Sequence, residues 1–172
     1  MPDPRPFRIV GATEVDLRAV AELAGAIWRE HYPGIITPEQ IEYMLALGYS
    51  RDALRRFISE AGAGLALAYV GERLAGFAAY YRPDHPAELK LDKLYVHDDY
   101  RGQGVGSRLI AHVEAAATRQ ARPTLILNVN KHNAKAIRAY ERNAFTIRES
   151  VIVDIGGGFV MDDYVMAKQL PL

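Results

Sequence analysis

The amino-acid sequence predicts a single α/β (α+β) domain with a mixed, mostly antiparallel sheet, crossed once by a parallel β-α-β unit. Three observations carry this reading. Apolar residues switch between strand and helix spacing in the order β-α-α-α-β-β-β-α-β-α-β-β. In mid-chain, one strand leads through a glycine-rich turn into a helix and then a compact apolar strand, the form of a crossover. The chain has 172 residues, 49% hydrophobic and 24% charged, enough for one core and too apolar for disorder.

Each element has its own signal. Phe7 to Val10 reads as a short first strand. Thr13 offers a helix N-cap and Asp16 complements the helix dipole; Val20, Leu23, Ala24, Ile27 and Trp28 follow at helical spacing. Pro33-Gly34 ends that helix. Thr37-Pro38-Glu39-Gln40 opens the next, with an N-cap, proline in the first turn and glutamine at the capping-box position. Ser50 caps a third helix carrying Leu54, Phe57 and Ile58. Leu65 to Val70 and Leu74 to Tyr81 are strands joined by Gly71-Glu72, which suits a type II′ turn. Leu89 to Val96 is the strand before the glycine loop. Val105, Leu109, Val113, Ala116 and Ala117 form the apolar face of the helix after it. Thr124 to Val129 is a buried strand, and Asn133 opens a helix that runs to about Asn143. Strands at Phe145 to Ile155 and Phe159 to Lys168, joined by Gly156-Gly157-Gly158, complete the domain.

Composition narrows the function. Lys and Arg balance Asp and Glu at 21 each, so the basic excess of a nucleic-acid binder is missing. No apolar run is long enough to span a membrane, and residues 1–6 lack the apolar stretch of a signal peptide. Cysteine is absent, which removes disulfides and a thiol nucleophile. His85, His112 and His132 have no partner at metal-ligand spacing, so no metal is expected. The expected setting is the cytoplasm and the expected partners are small molecules.

The segment Arg101-Gly102-Gln103-Gly104-Val105-Gly106 lies between a strand end and a helix start. The free N–H groups of a helix start and the close backbone approach that glycine allows together suit a phosphate. The loop lacks the Gly-Lys-Ser/Thr of a Walker motif and has G-x-G-x-G rather than G-x-G-x-x-G. It fits R-x-x-G-x-G through Arg101, Gly104 and Gly106, although by itself it also fits an ordinary tight turn. A second group, Asn133, Ala136 and Tyr140, shares one helix face and offers an amide, a small surface and a phenol to one extended ligand.

Together these two groups resemble the motifs of the GNAT superfamily of N-acetyltransferases. The first motif is the strand Leu91 to Val96 with the Arg101–Gly106 loop and its helix; the second is Asn133-x-x-Ala136-x-x-x-Tyr140-x-x-x-Ala144-Phe145. The family usually has glycine where this chain has Ala144. Trp28 through Leu45 and Ile155 through Tyr164 resemble a bacterial branch that includes polyamine N-acetyltransferases. The resemblance implies helices on both faces of the sheet and a splayed central strand pair with pantetheine in the gap. It implies acetyl-CoA bound by Leu94, Tyr95 and Val96, by Arg101, Gly102, Gln103, Gly104, Val105, Gly106 and Ser107, and by Asn133, Ala136 and Tyr140. Tyr140 is the implied general acid for the leaving thiolate.

Amine acetylation needs a neutral nucleophile, yet an alkylamine with a pKa near ~10.4 is mostly protonated at neutral pH. A base is therefore required, with Glu88 and Asp92 as the candidates nearest the reacting strand. Trp28, His31, Tyr32, Tyr43 and Tyr80 are candidates to line the acceptor pocket. Asp154, Asp162 and Asp163 are candidates to attract a cationic acceptor such as a polyamine. Two alternatives stay open: a peptide or protein acceptor, and a non-catalytic acetyl-CoA sensor. The last hairpin offers an edge for a homodimer.

Overall fold

The computed structural model describes residues 4–171; residues 1–3 of the segment read for a targeting signal lie outside the described residues. The chain forms β1 (Phe7–Gly11), α1 (Leu17–His31), α2 (Pro38–Gly48), α3 (Arg51–Ser59), β2 (Gly64–Val70), β3 (Arg73–Tyr81), β4 (Glu88–Val96), α4 (Val105–Arg119), β5 (Thr124–Asn130), α5 (Ala134–Arg142), β6 (Thr146–Gly156) and β7 (Phe159–Gln169). The strands make one sheet in the order β1-β2-β3-β4-β5-β7-β6. Every neighbouring pair is antiparallel except β4 and β5, which the α4 crossover joins in parallel. No helix among the described residues is long and apolar enough to cross a membrane.

Alternating strand residues feed two cores. Ala66, Leu89, Leu91, Leu125, Leu127 and Met166 pack with α4 and α5 on one face. Leu65, Leu67, Phe77 and Ala79 pack with α1, α2 and α3 on the other. The predicted starts are largely built as read. Thr13 and Asp16 close a capping box around a one-turn 3-10 segment that leads into α1. Ser50 Oγ accepts from Ala53 N at 3.2 Å. Gly71 has φ +58° while Glu72 keeps a negative φ, the combination a type II′ turn requires. Gln40 differs from expectation. Thr37 Oγ1 accepts from its backbone N–H at 3.2 Å, but the Gln40 side chain does not complete a capping box. Its amide donates to Val160 O at 2.9 Å and ties α2 to the last hairpin.

The feature that shapes the site is a bulge in β4. Ala79 pairs with Lys93 and Tyr80 with Leu91, so Asp92 is one residue too many on β4. A bulge bends its strand and reverses the side-chain phase beyond it. Leu89 and Leu91 therefore share the α4 face with Leu94 and Val96, while Tyr95 turns to the α1 face. At the same level β4 and β5 part. Their register runs only from Glu88 with Thr124 to Leu91 with Leu127, whereas β5 stays paired to β7 as far as Asn130 with Asp163. Beyond Leu91, the β4 edge that faced β5 has no strand partner.

Two helices end on alanine in the left-handed region, Ala121 at φ +54° and Ala144 at φ +68°. Both are Schellman ends: Arg122 N donates to Ala117 O and Ala121 N to Thr118 O, and Phe145 N donates to Tyr140 O and Ala144 N to Glu141 O. The Cβ at such a position is unfavourable by about 1–2 kcal/mol. The freedom glycine gains in the unfolded chain offsets about 0.5–1 kcal/mol of that. Ala121→Gly and Ala144→Gly should each raise unfolding free energy by up to ~1 kcal/mol in urea titrations. An unchanged midpoint in both would show that these turns carry no strain.

Candidate active site

The opening between β4 and β5 is the centre of a cavity of about 640 Å³ that reaches from the start of α4 to the inner side of α1. One end is built by the glycine loop. Gly102 and Gly104 hold φ of +73° and +82°, and Gly104 is the N-cap of α4 with no side chain to satisfy the first N–H groups. A Cβ added at Gly104 would meet nothing within 4 Å, so the space in front of these donors is open. Arg101 adds positive charge there, with Nε held by Asp98 Oδ1 at 3.0 Å. This end is built to receive an anion.

The loop residues Arg101, Gly102, Gly104, Val105, Gly106 and Ser107 all line the cavity, as do Leu94, Tyr95 and Val96. Gln103 does not; its amide donates to Asp99 O at 3.0 Å and braces the loop from outside. Asn133, Ala136 and Tyr140 line the opposite wall. Asn133 is buried at the N-cap of α5, where its Oδ1 accepts from Ala136 N at 3.3 Å. The same oxygen lies 3.1 Å from His31 Nε2, which joins α1 to α5 across the opening.

The far end is aromatic. The rings of Trp28 and Tyr32 lie 4.3 Å apart, and Tyr49 and Tyr95 each lie 5.9 Å from Trp28. The Tyr32 and Tyr95 hydroxyls are 3.1 Å apart. Tyr95 reaches this cluster only because the bulge turns it to the α1 face. Burial pushes the phenols of Tyr32 and Tyr140 up, and those of Tyr49 and Tyr95 well up. All four therefore stay protonated at neutral pH and act as donors or dipoles.

Several sequence candidates fall elsewhere. Glu88 sits where β4 begins, with its carboxylate 2.5 Å from Arg148 Nη1, and it does not line the cavity. It is set aside as a base because an arginine already satisfies it outside the site. Asp92 does line the cavity, but Lys93 Nζ neutralises it at 2.9 Å. Tyr80 is buried in the α4-side core with its ring over Gly64, on the wrong face for the acceptor. Tyr43 stacks on Phe159 and donates to Ile155 O at 2.6 Å, so it fastens the last hairpin instead of lining the pocket. Asp154 accepts from Gly156 N in the hairpin turn, and Asp162 pairs with Lys131. Tyr49, Asn128 and Asn130 were not singled out from sequence, yet they line the cavity. The two asparagines alternate with apolar residues in β5, which was the available signal.

An anion-receptive helix start, an unpaired strand edge and an aromatic chamber thus lie along one opening. The family model for the acetyltransferase (GNAT) family matches residues 20–145, and the chain belongs to that family. It is an acetyl-CoA-dependent N-acetyltransferase, with acetyl-CoA as a substrate of the reaction. An uncharacterised N-acetyltransferase of Mycobacterium tuberculosis is 26% identical over 90% of this chain and 98% of its own. A spermidine N(1)-acetyltransferase of Thermoplasma acidophilum is 25% identical over 86% of this chain and 90% of its own. In fold, the chain is similar to the PaiA N-acetyltransferase of T. acidophilum, solved in complex with coenzyme A. That similarity has a TM-score of 0.81 and 23% identity, and covers 95% of this chain and 99% of the other.

Gly104→Val places a branched side chain in the open space before the α4 donors and forces a residue at φ +82°. The expected result is at least tenfold weaker acetyl-CoA binding by calorimetry, with turnover at saturating acetyl-CoA within a few-fold of wild type. Unchanged affinity in a folded variant would remove the loop from the binding site.

Proposed function

We propose that the protein acetylates a primary amine of a small cationic molecule, of the polyamine class, by direct attack of the neutral amine on the thioester. The observation that carries the reading is the aromatic end of the cavity. Trp28, Tyr32, Tyr49 and Tyr95 line it, and Lys93 Nζ already lies 4.6 Å over the Tyr49 ring, so a cation in this chamber has precedent. Such surfaces favour an alkylammonium over an anion. Lys93, which also lines the cavity, carries its own counter-ion in Asp92 and so does not oppose a cation at full strength. The spermidine-acetylating relative supports the same acceptor class over nearly its whole length.

In this reading the loop from Arg101 to Ser107 holds the pyrophosphate, and the free edge of β4 at Leu94 to Val96 aligns the pantetheine arm. Asn133 and Ala136 close the other side. Tyr140 is the general acid. Its phenol, kept protonated by burial, donates to the departing thiolate. The hydroxyl pair of Tyr32 and Tyr95 adds dipoles to the same chamber.

A panel of spermidine, putrescine, single amino acids and lysine peptides, followed by release of free CoA, tests the acceptor class. Turnover concentrated on spermidine and putrescine is expected; preference for the peptides would point to a protein acceptor, and binding without turnover to a sensor. Tyr140→Phe should lower kcat by about 10²-fold while leaving acetyl-CoA affinity within twofold. A large loss of affinity with unaltered kcat would make Tyr140 a packing residue.

A further inference from the structure

We propose that Asp163, on the central stretch of β7, is the proton acceptor that turns the acceptor's ammonium into a nucleophile. The proposal rests on the amine-acetylation reading above. Asp163 is 4% exposed and lines the cavity, and its Oδ1 has no hydrogen-bond partner. No ion pair to Asp163 occurs among the described residues. Lys90 and Lys131 act on it without forming an ion pair; a buried carboxylate with no cation in contact is unfavourable for folding, so its persistence in a ligand cavity points to a partner that arrives with the ligand.

Its position in the sheet is decisive. Asp163 pairs with Asn130, three residues past the last β4–β5 pair at Leu127, where the sheet has already opened. Met166 and Tyr164 face the α4 core, so alternation puts Asp163 on the face of the aromatic chamber. The groups around it are Tyr32 from α1, Asn128 from β5, Lys90 from β4, Lys131 after β5 and Asp162 on its own strand. Lys131 is occupied by Asp162 at 2.6 Å. The Tyr32 hydroxyl in turn lies 3.1 Å from that of Tyr95. Burial, partly opposed by Asn128, raises Asp163's proton affinity, and the same dry surroundings lower that of an incoming ammonium.

One N–H proton of the ammonium passes to the Asp163 carboxylate and on to solvent. The freed lone pair forms the C–N bond to the acetyl carbonyl carbon, and the C–S bond breaks. A second proton leaves the nitrogen as the amide forms, and its equivalent reaches the thiol through Tyr140. No other reactant is needed.

The test is Asp163→Asn, with Asp163→Ala as a second variant, assayed at saturating acetyl-CoA on whichever panel amine the wild type turns over. The expected result for Asp163→Asn is a kcat reduced about 10²-fold or more at pH 7, with acetyl-CoA affinity unchanged and the melting temperature kept or raised. Its rate should climb about tenfold per pH unit toward the amine pKa near ~10.4, because only already neutral amine reacts. The wild-type rate should be nearly flat between pH 7 and 9. Formate should restore part of the activity of Asp163→Ala. A kcat within threefold of wild type, or a raised KM with unaltered kcat, overturns the proposal and leaves amine acetylation standing. CoA release by the wild type with no amine in the panel overturns both readings together.

Discussion

The parting of β4 from β5 is the constraint on which this molecule depends. Two parallel strands normally remain hydrogen-bonded along their length, and an unpaired edge inside a sheet exposes backbone donors and acceptors that need partners. Here the extra residue at Asp92 bends β4 away after Leu91, while β7 holds β5 in place through Asn130. The break therefore has a fixed position and width. It leaves the β4 edge beyond Leu91 without a strand partner, beside the Asn130–Asp163 pair, and an extended ligand can complete that edge as a missing strand would.

The same bulge distributes chemistry between the two faces. Upstream of it, β4 gives leucines to the α4 core; downstream, the phase reverses and Tyr95 joins Trp28, Tyr32 and Tyr49. The α4 face thus stays apolar and rigid behind the glycine loop, and the α1 face becomes the polar-aromatic chamber. The helices act as fixed mounts. α4 aims its N-terminus at the opening from one side, and α5 presents Asn133, Ala136 and Tyr140 from the other. His31 to Asn133 links the mounts across the gap.

Function and stability pull against each other at identifiable residues. Asp163 buries a carboxylate oxygen that the folded chain leaves unsatisfied, and it lies in the cavity. In a closed core such an atom would only destabilise; in an open cavity it is available for pairing. The strained alanines differ. Ala121 and Ala144 lie at helix ends where glycine would serve better. Nothing in the structure explains alanine at Ala121, and Ala144 follows the helix that carries Tyr140.

Much of this was legible along the chain because the responsible signals are local. Periodicity set the element order, caps at Thr37 and Ser50 set helix starts, and the spacing of Gly102, Gly104 and Gly106 before an apolar helix marked the anion-receptive end. Asn133, Ala136 and Tyr140 share a face by helical geometry alone. The acceptor side was not legible, because it is assembled from residues far apart in sequence and sorted by strand phase. Glu88 and Tyr80 looked eligible by their nearness to the reacting strand, yet Glu88 meets Arg148 sixty residues later and Tyr80 turns to the opposite core. Asp163 was one of three similar acids until pairing with β5 buried it and left its neighbours Asp154 and Asp162 satisfied elsewhere. The sequence by itself determined the order of elements, the glycine loop before α4 and the shared helix face of Asn133, Ala136 and Tyr140. Only the tertiary structure decided which of the three carboxylates is buried in the cavity, because burial and register exist only once distant strands are side by side.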